Sequence, residues 1–248
     1  MTTPHDRSSG GLLSDHPRKW RDFRYVYPVL SRRSKGLSLG VNLNPDKSCS
    51  FSCIYCQVTR EIEPVTGTVD LAVLRNELES ALPYAMTGRI WREGRFAAAP
   101  ANMRRVNDIA FSGDGEPTCR EEFERAVEVA AEVRRNLGGE DVKLVLITNA
   151  AHLHLERIRR GLAILDANNG EIWAKLDAGT EQRFNLINRP RGGVTFRRVL
   201  KNITDAAVIR PVVIQSLFFR IDGAGPPAAM ISPSRRQYAA ISSAGGPA

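Results

Sequence analysis

Apolar positions along the middle of the chain recur in two alternating periods. Leu71, Leu74, Leu78 and Leu82 fall at helical spacing behind Asp70, which predicts an N-capped helix over 70–86. From Val106 the pattern becomes regular. VNDIAFSG reads as a strand, REEFERAVEVAAEVRRNL as a helix, VKLVLITN as a buried strand and HLERIRRGLAIL as a helix. EIWAKLD then reads as a strand, TFRRVLKNITDA as a helix and PVVIQSLFF as a strand. Ahead of these, YVYPVLSRRSKGLSLGVNLNPDKSC from Tyr25 reads as one strand, with Leu37, Leu39 and Val41 leading towards Cys49. Residues 83–105, punctuated by Pro83, Gly88, Gly94 and Pro100, read as an irregular connection. Strands that alternate with helices predict an α/β fold with a parallel sheet, open or closed into a barrel.

The two ends depart from this pattern. Residues 1–24 are polar and rich in breakers, and read as a loose arm. Residues 222–248 are dominated by Ala, Gly, Pro and Ser and offer no strand, so the strand count stops at five and the regular core is expected over 25–221.

Composition narrows the class. No apolar run approaches the ~18 residues a membrane-spanning helix needs, and the N-terminal stretch has no apolar segment of the signal-peptide kind. The cytoplasm is the expected location. Disulfides are rare there, so clustered cysteines point to metal or redox work. The formal net charge of +8 makes RNA or a phosphorylated metabolite a partner to consider, although the arginines are scattered along the chain as on solvated helix faces.

Three of the four cysteines lie within CSFSCIYCQ as Cys49-x3-Cys53-x2-Cys56. Thiolate-rich sites select zinc, copper(I) or iron–sulfur clusters. Three thiolates on a four-iron cluster leave one iron open to bind a small molecule. Two other readings stand beside that one: a closed zinc or cluster site completed by Cys119, which would suit a structural metal protein that binds RNA, and chance clustering. A second constellation, FSGDGEPT, follows the strand from Val106; Gly113 and Gly115 allow close backbone approach around Asp114, and Glu116 adds a carboxylate. Thr148 with Asn149, and Lys175 with Asp177, end two further strands, where α/β folds bind ligands. They read equally as turn formers and an ion pair. Gln215 sits within an apolar strand, facing a barrel lumen or bonding a neighbour. His152 and His154 read as surface residues at a helix start.

The cysteine spacing, with Tyr55 just before the last thiol and the wider string VNLNPDKSCSFSCIYCQV, resembles the radical S-adenosylmethionine (radical SAM) superfamily. The wider string resembles in particular its stand-alone Fe–S oxidoreductase-like branch, related to the wybutosine-synthesis radical enzymes, and the likeness runs from about Tyr25 to about Ala229. It implies a partial (β/α)6 barrel, here without a clear sixth strand. Cys49, Cys53 and Cys56 would hold a [4Fe-4S] cluster, with S-adenosylmethionine (SAM) on the fourth iron and Tyr55 against its adenine side. Gly113, Asp114, Gly115 and Glu116 would meet the SAM amino group, with Thr148, Asn149, Lys175 and Asp177 as further cofactor contacts. Cys119 has no counterpart role. The chemistry implied is hydrogen abstraction from an unidentified substrate, fed by a donor such as flavodoxin or ferredoxin. The family pattern continues past SLFFRIDGAGPPAA into a helix and strand that MISPSRRQYAAISSAGGPA does not resemble, as a shifted or shortened reading frame would produce.

Overall fold

The structure is a computed structural model and describes residue 18, residues 20–58 and residues 67–218. The expected tail, residues 222–248, and residues 1–17 and 19 of the expected arm fall outside them. Six strands form one sheet in chain order: β1 (Val26–Ser31), β2 (Gly36–Val41), β3 (Val106–Phe111), β4 (Lys143–Thr148), β5 (Gly170–Lys175) and β6 (Val212–Gln215). β1 and β2 are antiparallel and every later neighbour pair is parallel.

The stretch expected as one strand from Tyr25 is therefore a hairpin. Val26 pairs with Val41 and Ser31 with Gly36 across a turn at residues 32–35, with Lys35 at a φ of 58°. The polar run Ser31–Lys35 marks that turn in the sequence, but it lacks the Asn-Gly or Asp-Gly chemistry that announces a tight hairpin. Six strands are described instead of the five expected. A strand beyond β6 would lie outside the described residues.

Among the described residues five α-helices connect or flank the strands: α1 (Leu71–Met86), α2 (Phe123–Asn136), α3 (Glu156–Asp166), α4 (Glu181–Asn188) and α5 (Phe196–Ile209). The Asp70 carboxylate accepts from the Ala72 and Val73 amides, the capping geometry its position predicts. Three short 3-10 turns over Arg89–Met103 make up the irregular connection. Pro83, expected there, instead lies inside α1. α4 has no counterpart in the sequence reading. It spans eight residues, capped by Thr180 onto the Arg183 amide, too few turns for a legible period.

Side chains alternate across a strand, and this sheet uses its two faces differently. Leu37, Leu39, Val41, Ile109, Phe111, Leu144, Leu146 and Ile172 are buried in one core with Leu74, Leu78, Phe123, Ile158, Leu162, Val199 and Ile203 of the helices. Truncating one of the fully buried leucines, such as Leu78→Ala, costs about 2–5 kcal/mol. The opposite face presents Tyr27, Val29, Ser31, Ser38, Gly40, Ala110, Ser112, Ile147, Lys175 and Gln215 to a cavity. Gly40 is obligatory there: a Cβ would lie 2.3 Å from the Tyr27 ring. The buried Glu77 carboxylate of α1 fixes the entry to the sheet, accepting from the Arg24, Tyr25 and Val26 amides at 2.6, 2.8 and 2.9 Å. No helix of the described residues is long and apolar enough to cross a membrane.

Candidate functional site

The parallel strands β2 to β6 send their carboxyl ends to one end of the cavity, and every sequence-predicted site residue lies there. The loop after β2 carries the three cysteines. It begins with a turn in which Lys47 takes a φ of 64° and donates its amide to the Asn44 carbonyl. Asp46 accepts from Ser48 and from Arg120, whose guanidinium anchors this turn to the segment before α2. Burial works against ionisation of Asp46, but Arg120 and the Ser48 donors outweigh it and hold the carboxyl below its ordinary value.

Two neighbouring segments clamp the cysteine loop. On one side the Glu116 amide donates to the Ser48 carbonyl at 3.1 Å, and Gly115 packs on the same oxygen. On the other side the end of α4 runs alongside. The Ser52 amide reaches the Asn188 and Arg189 carbonyls, that of Ile54 the Ile187 carbonyl, and the Arg191 amide the Ser50 carbonyl. Phe51, buried, stacks edge-on to Phe184 of α4 with ring centres 5.3 Å apart.

Cys49, Cys53 and Cys56 are half-buried and all three line the cavity of about 510 Å³, together with Tyr55, Gly113, Gly115, Glu116, Thr148, Asn149 and Lys175. Asp114 and Asp177 stand behind this lining. Asp114 accepts from Arg18 at 2.5 Å and Asn42 at 2.7 Å, so the loop's first carboxylate is spent on holding it to β2. Gly113 has a φ of 143°, and a Cβ there would meet Asn42 at 2.5 Å.

Glu116 is the hub. It is buried, and its Oε1 accepts from the Thr118 amide at 3.2 Å, the Thr118 hydroxyl at 2.6 Å and the Thr148 hydroxyl at 2.6 Å. Oε2 takes the Asn149 amide at 2.7 Å. Burial raises the carboxyl above its ordinary value, against the pull of these donors. A carboxylate offers roughly four lone-pair sites, two per oxygen. Oε1 is saturated, so the remaining acceptor capacity is on Oε2.

A second network lies across the cavity. Asp177, whose side chain is fully buried, accepts from the Tyr55 hydroxyl and from the Leu217 amide at 2.8 Å, and pairs with Lys175 at 3.5 Å. Lys175 stands 5.1 Å over the Tyr55 ring. Burial, and then the Asp177 charge, push the Tyr55 phenol up, so it remains a donor. Asn188 ties this network to the thiols, donating to the Cys53 sulfur at 3.5 Å and to Asp177 at 3.4 Å. Its amide oxygen is buried with no partner among the described residues. Asn149 does the same on the other side, reaching the Ser50 hydroxyl at 2.9 Å and the Cys49 sulfur at 3.9 Å.

Sequence reasoning missed Asn188. It ends a helix too short to read, and nothing in its local pattern signals a cavity. Gln215 does face the cavity, beside Lys175 in the register of β5 and β6. His152 is not the surface residue expected. It is half-buried, with Nδ1 3.4 Å from the Thr118 hydroxyl and 3.9 Å from the Cys119 sulfur; burial, and then Arg157, lower its pKa. Cys119 does not line the cavity. Burial, and then the Glu116 and Cys49 charges, push its thiol up to about 12.

Among the described residues no three His, Cys, Asp or Glu side chains are gathered to hold a single metal ion. Zinc at about 2.3 Å from each sulfur needs thiolates about 4 Å apart. In a polynuclear cluster each thiolate binds a different iron. Three thiols on one cavity lining, two of them beside asparagine donors and with no fourth thiol among the described lining residues, are the donor set that a four-iron cluster with one open iron would take.

The fold is that of a partial α/β barrel with its site at the strand ends, and solved structures share it. TYW1 with a lysine–pyruvate adduct bound superposes with a TM-score of 0.51 at 14% identity, covering 96% of this chain and 70% of that one. Streptococcus suis SuiB bound to S-adenosylmethionine gives 0.53 at 13% identity, covering 85% and 40%. No protein-family model matches the chain. By sequence it is 28% identical over 176 residues to a UPF0026 protein of Methanocaldococcus jannaschii, covering 71% of this chain and 47% of the relative. A UPF0026 protein of Synechocystis is 28% identical over 183 residues, 73% of this chain and 58% of its own length. A Brachyspira hyodysenteriae protein named GTPase Obg is 28% identical over 187 residues, but they are 24% of that protein. The chain thus spans less than two thirds of the length of each of these sequence relatives, and its 248 residues contain no Gly-x4-Gly-Lys-Ser/Thr loop for a nucleotide triphosphate.

Proposed function

We propose that this chain is the core of a radical SAM enzyme acting on a small substrate. Bound together, a [4Fe-4S] cluster on Cys49, Cys53 and Cys56 and a SAM molecule at its open iron would supply a 5′-deoxyadenosyl radical that takes a hydrogen atom, with the electron coming from a flavodoxin- or ferredoxin-type donor. The observation that carries this reading is the meeting of the three thiols and the Gly113–Glu116 loop on one cavity wall.

The chain's own residues have separable tasks. Glu116 offers its one remaining acceptor position, on Oε2, to an ammonium group, while Thr118, Thr148 and Asn149 hold it in place. Asn149 and Asn188 aim amide donors at the Cys49 and Cys53 sulfurs, which disperses thiolate charge. Tyr55, Asp177 and Lys175 close the other side. The shared fold with SuiB, solved with SAM bound, supports this assignment at the level of architecture.

The test is anaerobic reconstitution with iron and sulfide, followed by reduction and EPR with and without SAM. A reduced-cluster signal that changes when SAM is added is the expected result. A signal indifferent to SAM, or one zinc in place of about four irons, would overturn the reading in favour of a structural metal site.

A further inference from the structure

The cavity is lopsided in charge along its length. Among the described residues its ionisable lining apart from the cysteines and tyrosines is four cations, Arg18, Arg32, Arg33 and Lys175, against one acid, Glu116. Two of the cations are neutralised: Arg18 by Asp114 and Lys175 by Asp177. Glu116 has a single acceptor position left, at the thiol end. Arg32 and Arg33 have no ion pair or hydrogen bond with any described residue.

These two arginines stand at the far end. They occupy the β1–β2 turn, next to Ser31, which pairs with the first residue of β2, whereas the thiols follow the last residue of that strand. Tyr27, hydrogen-bonded to Ser112 just before Gly113, lies four residues up β1 from Ser31, a span of roughly 13 Å at ~3.3 Å per residue.

The turn is braced. The Ser34 amide donates to the Ser31 hydroxyl at 3.2 Å, Asn107 donates to the Ser34 carbonyl, and Arg105 donates to the Lys35 carbonyl at 3.4 Å. The Leu37 amide in turn reaches the Arg105 carbonyl at 2.8 Å. Two exposed, unpaired guanidinium groups are thus presented by a fixed backbone at the open end of the cavity. Guanidinium forks match carboxylate and phosphate oxygens in pairs, and a preformed frame lowers the ordering cost of binding.

We propose that this end of the cavity is an anion subsite, and that the molecule acted on is a small carboxylate or phosphate ester gripped by Arg32 and Arg33 while its other end faces the thiol cup. A cavity of about 510 Å³ is of small-molecule size and too small to enclose a folded polynucleotide. The substrate assignment rests on the radical SAM reading; the anion subsite itself does not.

Titration calorimetry on the full chain, anaerobically reconstituted, tests it with two probes: inorganic phosphate and glutarate. The variants are R32Q/R33Q, R32K/R33K and, as a control on the exposed side of α5, R197Q. The expected result is that one probe binds, that R32Q/R33Q weakens it at least tenfold, that R32K/R33K recovers part of the loss, and that R197Q has no effect. The probe that binds identifies phosphate or carboxylate as the group recognised. Binding of neither probe, or equal binding by R32Q/R33Q and the parent chain, overturns the proposal. EPR of the same reconstituted samples separates the two readings: arginine-dependent binding in a chain whose cluster fails to form or ignores SAM keeps the subsite and removes the radical chemistry, whereas a SAM-responsive cluster without arginine dependence does the reverse.

Discussion

Gly115 and Ser48 stand so close that a Cβ on the glycine would lie 1.9 Å from the Ser48 carbonyl oxygen. That oxygen already receives the Glu116 amide at 3.1 Å, one residue before the first cysteine of the cup. The two loops that carry the site are therefore in backbone contact, with no room for a side chain between them. Gly115→Ala forces them apart at a cost of about 1–3 kcal/mol. The variant is expected to keep its far-ultraviolet circular dichroism and to lose most of its iron after reconstitution, measured as iron per chain. Full iron loading would show that the contact is dispensable for the cup.

Asp46 anchors the same loop from below, through Arg120, whose side chain is 12% exposed, while that of Asp46 is 7% exposed. Because the folded state holds the carboxyl below its ordinary value, the pair's contribution is complete above that value and is lost as pH falls through the depressed folded one. Asp46→Asn should cost about 1–3 kcal/mol at pH 7. Thermal melts of the two proteins should converge as pH is lowered below about 4, the ordinary carboxylate range. A gap that stays constant down to pH 3 would mean that the charge on Asp46 contributes nothing.

Asn188→Ala removes the amide that donates to the Cys53 sulfur and to Asp177. Hydrogen bonds to cluster sulfurs favour the more negatively charged, reduced form, so their loss lowers the reduction potential. A bond of about 1 kcal/mol corresponds to a fall of tens of millivolts for one electron. A potentiometric titration followed by EPR reads this directly, and an unchanged potential would assign Asn188 to packing alone.

Cys119 distinguishes an open cup from a closed one. Its thiol stands next to His152 and off the cavity wall. Cys119→Ala should bind as much iron as the parent chain, while Cys56→Ala should bind little. Loss of iron in Cys119→Ala would make it the fourth ligand and close the site to SAM.

Much of this site is legible in linear order. The Cys-x3-Cys-x2-Cys spacing, the Gly-Asp-Gly-Glu loop, and the polar residues at 148, 149, 175 and 177 each follow a strand with a clear apolar pattern. A parallel sheet brings such strand ends together whatever the details of packing. The helices on Leu74, Leu78 and Leu82 and on Ile158, Leu162 and Leu165 are legible for the same reason, a periodic stripe that must be buried.

Three things are decided only in the tertiary structure. The run from Tyr25 becomes a hairpin because its second half pairs with β3 in parallel and its first half can then add only at the free edge. Asn188 becomes part of the cup because α4, an eight-residue helix with no legible period, is fixed by Phe184 stacking on Phe51. Arg32 and Arg33 come to face the thiols along one cavity because β1 lies antiparallel to β2 and returns the chain to the opposite end of the sheet. Local sequence determines which segments are strands and which loops carry chemistry. Which of those loops share a wall depends on pairing direction and register, contacts between residues far apart in the chain that no local pattern encodes.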